Sequence, residues 1–374
     1  MQRALHLAAQ ARGRVEPNPL VGCVIVKSDR IIAEGYHHQF GSPHAEPTAL
    51  AAATESPAGS TVYVTLEPCC HANKKTPPCT KALIQARVAK VIAACLDPNP
   101  EVSGKGLAQL QSAGIQTEVG LLEREAQQLN APFFATTLHH RPYITLKWAQ
   151  TADGKVAGPA GARLQITSPP ATHLVHQLRG RCDAILVGIN TVVNDDPLLL
   201  ARHVETPRPL LRVVLDSTLA IPLTSQLVQS AGQSPVLILT SHSAHTQKPD
   251  HVRALTTLGV ELAPLPADST GHIPLPTVIA YLALRPITHL LVEPGPTLAQ
   301  TFLSQNLADR IWIFRSPTQI GDPTAPTAIP VPYPPTANLP IGPDTLTEYL
   351  NPHGPVFFSA TPSPDIQLIH SNNH

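Results

Sequence analysis

The sequence predicts an α/β fold in two successive domains, and three observations carry that prediction. The chain has 374 residues, more than the roughly 100 to 200 residues of a usual single domain. Short β-like runs alternate with helical runs. That alternation halts near His139-His140-Arg141-Pro142 and starts again at Tyr143.

In the first stretch, Ala4 to Ala11 reads as a short amphipathic helix ended by Gly13. Val21 to Val26 and Ile31 to Tyr36 read as strands joined by a hairpin turn at Ser28-Asp29. His44 to Thr54 is Ala-rich and helical, with Pro47 tolerated in the first turn. Thr61 to Leu66 is a strand that runs straight into Glu67-Pro68-Cys69-Cys70. A helix from Thr80 to Arg87, a strand from Lys90 to Cys95, a helix from Leu107 to Ser112 and a strand from Ile115 to Val119 follow. Residues 121–142 read as a polar helix and a connection. The domains are therefore expected at 1–140 and 141–374.

In the second stretch, strands are expected at Tyr143 to Trp148, Ala184 to Val187, Leu211 to Leu215, Val236 to Leu239, His289 to Val292 and Arg310 to Phe314. Helices fit between them, Pro170 to Arg179 among them, which describes a mostly parallel α/β unit. The chain holds 41 Pro. From Ser316 to Pro343 their density excludes a long helix or a central strand, so an extended surface segment is expected, with the last dozen residues disordered.

Lys+Arg and Asp+Glu balance at 26 each, without the basic surplus of a protein that grips nucleic acid nonspecifically. No run approaches the ~20 apolar residues of a membrane span, and the N-terminus lacks a signal-peptide core. A cytoplasmic enzyme is expected, with a small-molecule substrate, no nucleic acid or membrane partner, and a homo-oligomeric state. Three of the six Cys fall within residues 69–79, and in a long unsecreted chain such clustering favours a metal over disulfides.

His44-Ala45-Glu46, Pro68-Cys69-Cys70 and Cys79 are the strongest chemical signal. A catalytic zinc takes three protein ligands and leaves a fourth position for water. One imidazole and two thiolates meet that need, and helix N-termini favour the thiolate. A Glu two residues from the His can move protons between water and a ring nitrogen, as in zinc-dependent nucleobase deaminases. Each piece alone is weak, since Cys residues in helices are more often core than ligand; their order after a strand and before a helix gives the signal its weight.

The segments Pro17 to Val26, Gly35-Tyr36-His37, Gly41 to Glu46, Thr65 to His71 and Thr76 to Cys79 resemble the bifunctional deaminase/reductase family of riboflavin biosynthesis. The resemblance implies an N-terminal cytidine-deaminase-like three-layer domain, zinc on His44, Cys69 and Cys79, and Glu46 as proton shuttle. Asn18 and His71 would contact the pyrimidine substrate. Asn73-Lys74-Lys75 departs from the family, which has a Gly there and one residue fewer between the Cys ligands. Counting from Cys70 restores the family spacing, whereas Cys69 follows Glu-Pro directly; Cys69 is favoured and Cys70 stays open.

The resemblance continues through Arg141 to Lys147, Asp153-Gly154-Lys155, Leu178-Arg179, Asp183 to Gly188, Thr191 to Pro197, Val213 to Ser217 and Glu293 with Gly295 to Leu298. It implies a dihydrofolate-reductase-like domain using NADPH, although no Gly-rich dinucleotide fingerprint is present. Ala149, Gln165, Thr191, Asp195, Ser217, Gly295, Pro296, Thr297, Leu298, Ala299, Gln300 and Thr301 would line the cofactor. Arg163, Arg179, Leu199, Arg202 and Glu293 would face the phosphoribosyl substrate, an Arg pair being suited to phosphate. Arg163 and Gln165 stand where the family has Ser and Trp. Pro294 replaces a Gly or Ala and removes a backbone donor. The function implied is deamination of a diaminopyrimidinone ribosylamine phosphate, then reduction of its ribose. The alternatives are a deaminase with a weakened reductase half, or a noncatalytic relative that binds the metabolite.

Overall fold

The computed structural model describes residues 1–71 and 77–354. The Asn73-Lys74-Lys75 departure and the expected disorder of the last dozen residues lie outside that range. The chain divides between His140 and Arg141 into two units.

The first unit runs α1 (Gln2–Ala9), β1 (Gly22–Lys27), β2 (Arg30–Tyr36), α2 (Ala45–Ala51), β3 (Thr61–Val64), α3 (Cys79–Gln85), β4 (Lys90–Ala93), α4 (Lys105–Ser112), β5 (Gln116–Val119), α5 (Glu123–Leu129) and α6 (Ala131–His139). Its sheet has the order β2-β1-β3-β4-β5. β1 is antiparallel to β2 and β3, whereas β3, β4 and β5 run parallel. Ser28 and Asp29 both take positive φ, the backbone of a two-residue hairpin turn matched to strand twist.

The two-residue period of the strands sorts their side chains between two helical layers. Cys23, Ile25, Val62, Val64, Val91 and Ala93 pack with Ala45 and Ala49 of α2, Leu83 of α3 and Leu110 of α4. Val24 packs with Ala4 and Leu7 of α1, with Tyr63 at the edge of the cluster. At Gly35 an added Cβ would lie 2.4 Å from the Ala49 nitrogen, so the missing side chain lets α2 lie close on β2. The single polar helix expected over 121–142 is instead two helices, broken at Asn130. The buried Asn130 side chain accepts the Leu20 N–H at 2.7 Å and donates to the Leu20 carbonyl at 2.9 Å, and Pro132 enters α6 in its first turn.

The second unit runs β6 (Tyr143–Gln150), α7 (Pro169–Arg181), β7 (Ala184–Gly188), α8 (Ile189–Asp195), β8 (Leu211–Leu215), α9 (Gln226–Gln229), β9 (Val236–Ser241), α10 (His242–Gln247), α11 (Pro249–Thr257), β10 (Glu261–Leu265), α12 (Leu275–Ala283), β11 (His289–Val292), α13 (Pro296–Ser304), β12 (Arg310–Arg315), β13 (Ala337–Ile341) and β14 (Asp344–Leu350). Nine strands form one sheet in the order β10-β9-β8-β7-β11-β6-β12-β14-β13. It is parallel from β10 to β12, and β14 and β13 close it antiparallel. One face buries Ile144, Leu146, Leu186, Val213, Leu290 and Val292 against Val278 and Leu282 of α12 and Phe302 of α13.

Three strands exceed expectation. β10 contains Pro264 and β13 contains Pro340; both lie at sheet edges, where a missing N–H need cost no ladder bond. β14 follows the Pro-rich run directly. That run is not wholly surface, because Ala325 is buried and Val331 and Tyr333 pack on the core. Among the described residues no helix is long and apolar enough to cross a membrane.

Candidate active sites

The first site forms where β3 and two helix starts meet. His44 is the residue preceding α2, and Cys79 opens α3. Cys69 lies five residues beyond the end of β3. His44 Nδ1 stands 3.2 Å from Cys79 Sγ and 3.6 Å from Cys69 Sγ, and the three donor atoms all lie within 4.8 Å of one another. A tetrahedral ion with bonds of about 2.2 Å has ligand–ligand edges of about 3.6 Å, so the donor set fits zinc in size and in chemistry. Cys70 turns away: its Sγ lies 3.7 Å from His71 Nδ1.

The sulfurs are electrostatically unequal. The Cys79 thiol and backbone N–H, with His44, hold the Cys69 thiol down at about 4, while Cys79 is pushed up. Glu46 is buried at 3% exposure. Burial, with the Cys69 thiolate beside it, raises its carboxyl to about 7. Asn18 donates through Nδ2 to His37 Nε2 at 3.2 Å, and His37 Nδ1 donates to the Pro43 carbonyl at 3.1 Å. His37 also meets the His44 ring edge-on at 5.5 Å. Burial lowers its pKa, which favours the neutral imidazole. The sequence had shown His37 only as part of a motif, without a partner.

The second site gathers at the C-terminal ends of four adjacent parallel strands, where open α/β sheets bind ligands. Ala149 is the penultimate residue of β6. Thr191 lies in α8 just after β7, Ser217 two residues beyond β8, and Gly295 three residues beyond β11. Gly295 precedes α13, which has no side-chain cap, and a Cβ there would meet nothing within 4 Å. An open helix start suits a phosphate group, so this edge fits a dinucleotide. Within α13, Ala299 faces the core while Thr297 and Gln300 are exposed, and Thr301 Oγ1 donates to the Thr297 carbonyl. Pro296 and Leu298 are half-buried at the helix start.

The residues expected at the substrate divide into two groups. Arg179 Nε and Nη2 donate to the two Glu293 oxygens at 2.8 and 2.9 Å, and Nη1 donates to the Leu200 carbonyl at 3.2 Å. Lys147 Nζ lies 3.7 Å from Glu293 Oε2. Burial alone would raise the Glu293 pKa, but Arg179 and Lys147 hold it at about 2. Lys147 was not foreseen as a site residue; the parallel register of β6 and β11 brings it beside Glu293. Leu199 is buried with positive φ, and Arg202 is exposed with its N–H on His176 Nδ1. Arg163 and Gln165 are exposed. Arg163 Nη1 donates to the Asp195 carbonyl, and Gln165 Nε2 to the Thr167 carbonyl, both at 3.0 Å.

Residues 1–95 match the family model for the cytidine and deoxycytidylate deaminase zinc-binding region, and residues 142–339 match that of the RibD C-terminal domain. The riboflavin biosynthesis protein RibD of Aquifex aeolicus is 41% identical over 325 residues, covering 86% of this chain and 87% of the relative.

The chain belongs to the RibD family.

The RibD of Escherichia coli is 40% identical over 333 residues, with 86% of this chain and 88% of the relative covered. Among solved structures, an Acinetobacter baumannii RibD superposes with a TM-score of 0.79 at 32% identity, covering 93% of this chain and 97% of that one. A diaminohydroxyphosphoribosylaminopyrimidine deaminase/5-amino-6-(5-phosphoribosylamino)uracil reductase of Thermotoga maritima gives 0.78 at 35% identity, over 94% and 97%. The RibD architecture is thus cytidine-deaminase-like, then dihydrofolate-reductase-like, and its activity is bifunctional deamination and reduction in riboflavin biosynthesis, with zinc and NADPH as cofactors. This breadth of match favours the bifunctional reading over a deaminase with a failed second half or a noncatalytic relative.

Proposed function

We propose that residues 1–140 are the deaminase domain and 141–374 the reductase domain, and that the residues described above carry the two reactions. The convergence of His44, Cys69 and Cys79 beside the buried Glu46 is the observation that bears most weight.

In the first reaction the 2-amino group of 2,5-diamino-6-(5-phosphoribosylamino)pyrimidin-4(3H)-one is replaced by oxygen and leaves as ammonia. His44, Cys69 and Cys79 hold zinc, which when bound supplies a Lewis acid that makes water nucleophilic at neutral pH. Glu46 takes the proton from the attacking water and delivers it to the departing amine. Asn18, its amide oriented by His37, hydrogen-bonds the pyrimidine edge. His71 adds a polar contact at the same mouth.

In the second reaction the ring-opened ribosylimine accepts a hydride at C1′ and a proton from solvent at the imine nitrogen and becomes a ribitylamine; NADPH would supply the hydride when bound. Ala149, Gln165, Thr191, Asp195, Ser217 and Gly295 to Thr301 line the cofactor. Glu293 and Arg179 position the substrate as a charged pair, with Leu199, Arg163 and Arg202 along its phosphoribosyl arm. The exposure of Arg202 leaves its guanidinium accessible to a phosphate.

Six free thiols fit a reducing compartment, which supports a cytoplasmic enzyme. Edge strand β2 carries the exposed Ile31, an open strand edge that supports a homo-oligomer; an absolute-mass measurement in solution tests it. The reactions are tested by following ammonia release from the diaminopyrimidinone substrate with and without NADPH. Ammonia in both cases, with NADPH consumed only after deamination, is expected. No ammonia from zinc-loaded protein would sink the reading.

A further inference from the structure

Glu67 stands two residues before Cys69 and takes no part in the chemistry above, yet it is the most heavily hydrogen-bonded carboxylate of the first unit among the bonds described. Its side chain is buried at 3% exposure. Oε2 accepts the N–H groups of Asp97 at 3.3 Å and Gly104 at 2.9 Å. Oε1 accepts those of Gly106 at 2.8 Å and Leu107 at 3.2 Å. Gly104 is the N-cap of the eight-residue α4 and, with no side chain, cannot cap it. A carboxylate 37 to 40 positions upstream does so instead, satisfying donors that the helix start leaves without partners.

The contact is also tight. A Cβ on Gly106 would sit 2.1 Å from the Pro68 carbonyl oxygen, so the first turn of α4 lies directly against the peptide that leads into Cys69. The same helix reaches the other sulfur element. Thr80, next to Cys79 and fully buried, donates through Oγ1 to Gln109 of α4 at 2.6 Å. The Thr80 N–H also donates to the Cys69 carbonyl at 3.2 Å. One helix therefore braces both sulfur-bearing segments.

We propose that Glu67 is a positioning residue for the metal centre: by capping α4 it locks the Glu67-Pro68-Cys69 segment so that Cys69 Sγ is held at ligand distance from His44 and Cys79. The inference rests on Cys69 being a ligand. It assigns Glu67 no contact with metal or substrate. Loss of such supporting hydrogen bonds typically weakens metal affinity about 10- to 100-fold.

The test is zinc transfer from the full-length protein to a chromophoric chelator, followed by the melting of the zinc-free protein. Wild type, Glu67→Gln and Asn130→Ala are compared. Glu67→Gln keeps the shape but turns an N–H donor toward backbone donors. Asn130→Ala removes the buried bonds to Leu20 in the same unit without touching the sulfur segments. Both variants should melt lower. Only Glu67→Gln should lose zinc faster and bind it about 10- to 100-fold more weakly. If Glu67→Gln does not fold, Glu67→Asp, which keeps the charge and retracts it by one methylene, should show the same change to a smaller extent. Zinc affinity unchanged in the Glu67 variant, with melting lowered as in Asn130→Ala, would overturn the proposal and leave the zinc reading intact. A wild-type protein that takes up no zinc would overturn both.

Discussion

Arg179 and Glu293 form a two-pronged ion pair, Nε to Oε1 at 2.8 Å and Nη2 to Oε2 at 2.9 Å, that ties the last turn of α7 to the loop after β11. Both side chains are about 15% exposed. Glu293 is held at about 2 against an ordinary value of 4.5, burial raising it and the Arg179 and Lys147 charges outweighing that effect.

A carboxylate depressed in the folded state stabilises the fold above its unfolded pKa and loses that contribution as pH falls through the folded value. The stability of the second unit is expected to drop between about pH 4.5 and 2, read by urea unfolding at stepped pH. Arg179→Met leaves Glu293 buried with Lys147 alone and should cost about 3 kcal/mol at neutral pH. It should also move the acid transition upward. A variant with wild-type stability across that window would mean the pair is solvent-screened.

Cys69 and Cys70 are separable by substitution. Cys69→Ser and Cys79→Ser are expected to abolish stoichiometric zinc, whereas Cys70→Ser should retain it, because Cys70 Sγ lies by His71 and outside the cluster of donor atoms. Metal content after dialysis decides; zinc retained by Cys69→Ser and lost by Cys70→Ser would reverse the assignment.

Glu46→Gln keeps the size of the side chain and removes its proton-carrying capacity. Ammonia release should fall by about 10²- to 10⁴-fold with zinc content unchanged. A fall of less than tenfold would transfer the proton-shuttle role to another group.

Gly295→Ser separates stability from cofactor binding. Gly295 has φ −73° and ψ 172°, a backbone that Ser adopts readily as an N-cap. Its hydroxyl would cap α13, so the melting temperature should hold or rise. The same hydroxyl would fill the open space at the helix start and compete for its N–H groups, raising the KM for NADPH on the order of tenfold. Unchanged KM would place the dinucleotide phosphates elsewhere.

Most of the strands were legible because Val, Ile and Leu recur in short runs bounded by Gly, Pro and Asp, a local pattern that needs no partner to be recognised. β10 and β13 escaped for the opposite reason. Pro264 and Pro340 argue against a strand until the segment is known to be an edge, and only the assembled sheet makes it one. β14 (Asp344–Leu350) carries no Pro and lies inside the sheet between β12 and β13; it was missed at the end of the Pro-rich run. The break at Asn130 was equally hidden, since its cause is Leu20, 110 positions away.

By itself the sequence determined the α/β class, the order of most of the elements, and the residue types for zinc chemistry, because periodicity and motif spacing are properties of neighbouring residues. Tertiary structure alone decided which of two adjacent cysteines joins His44 and Cys79, that Lys147 stands beside Glu293, and that Glu67 caps α4. Each of those depends on distance in space between segments far apart in the chain. Sheet register and helix packing set such distances, and local composition carries no record of them.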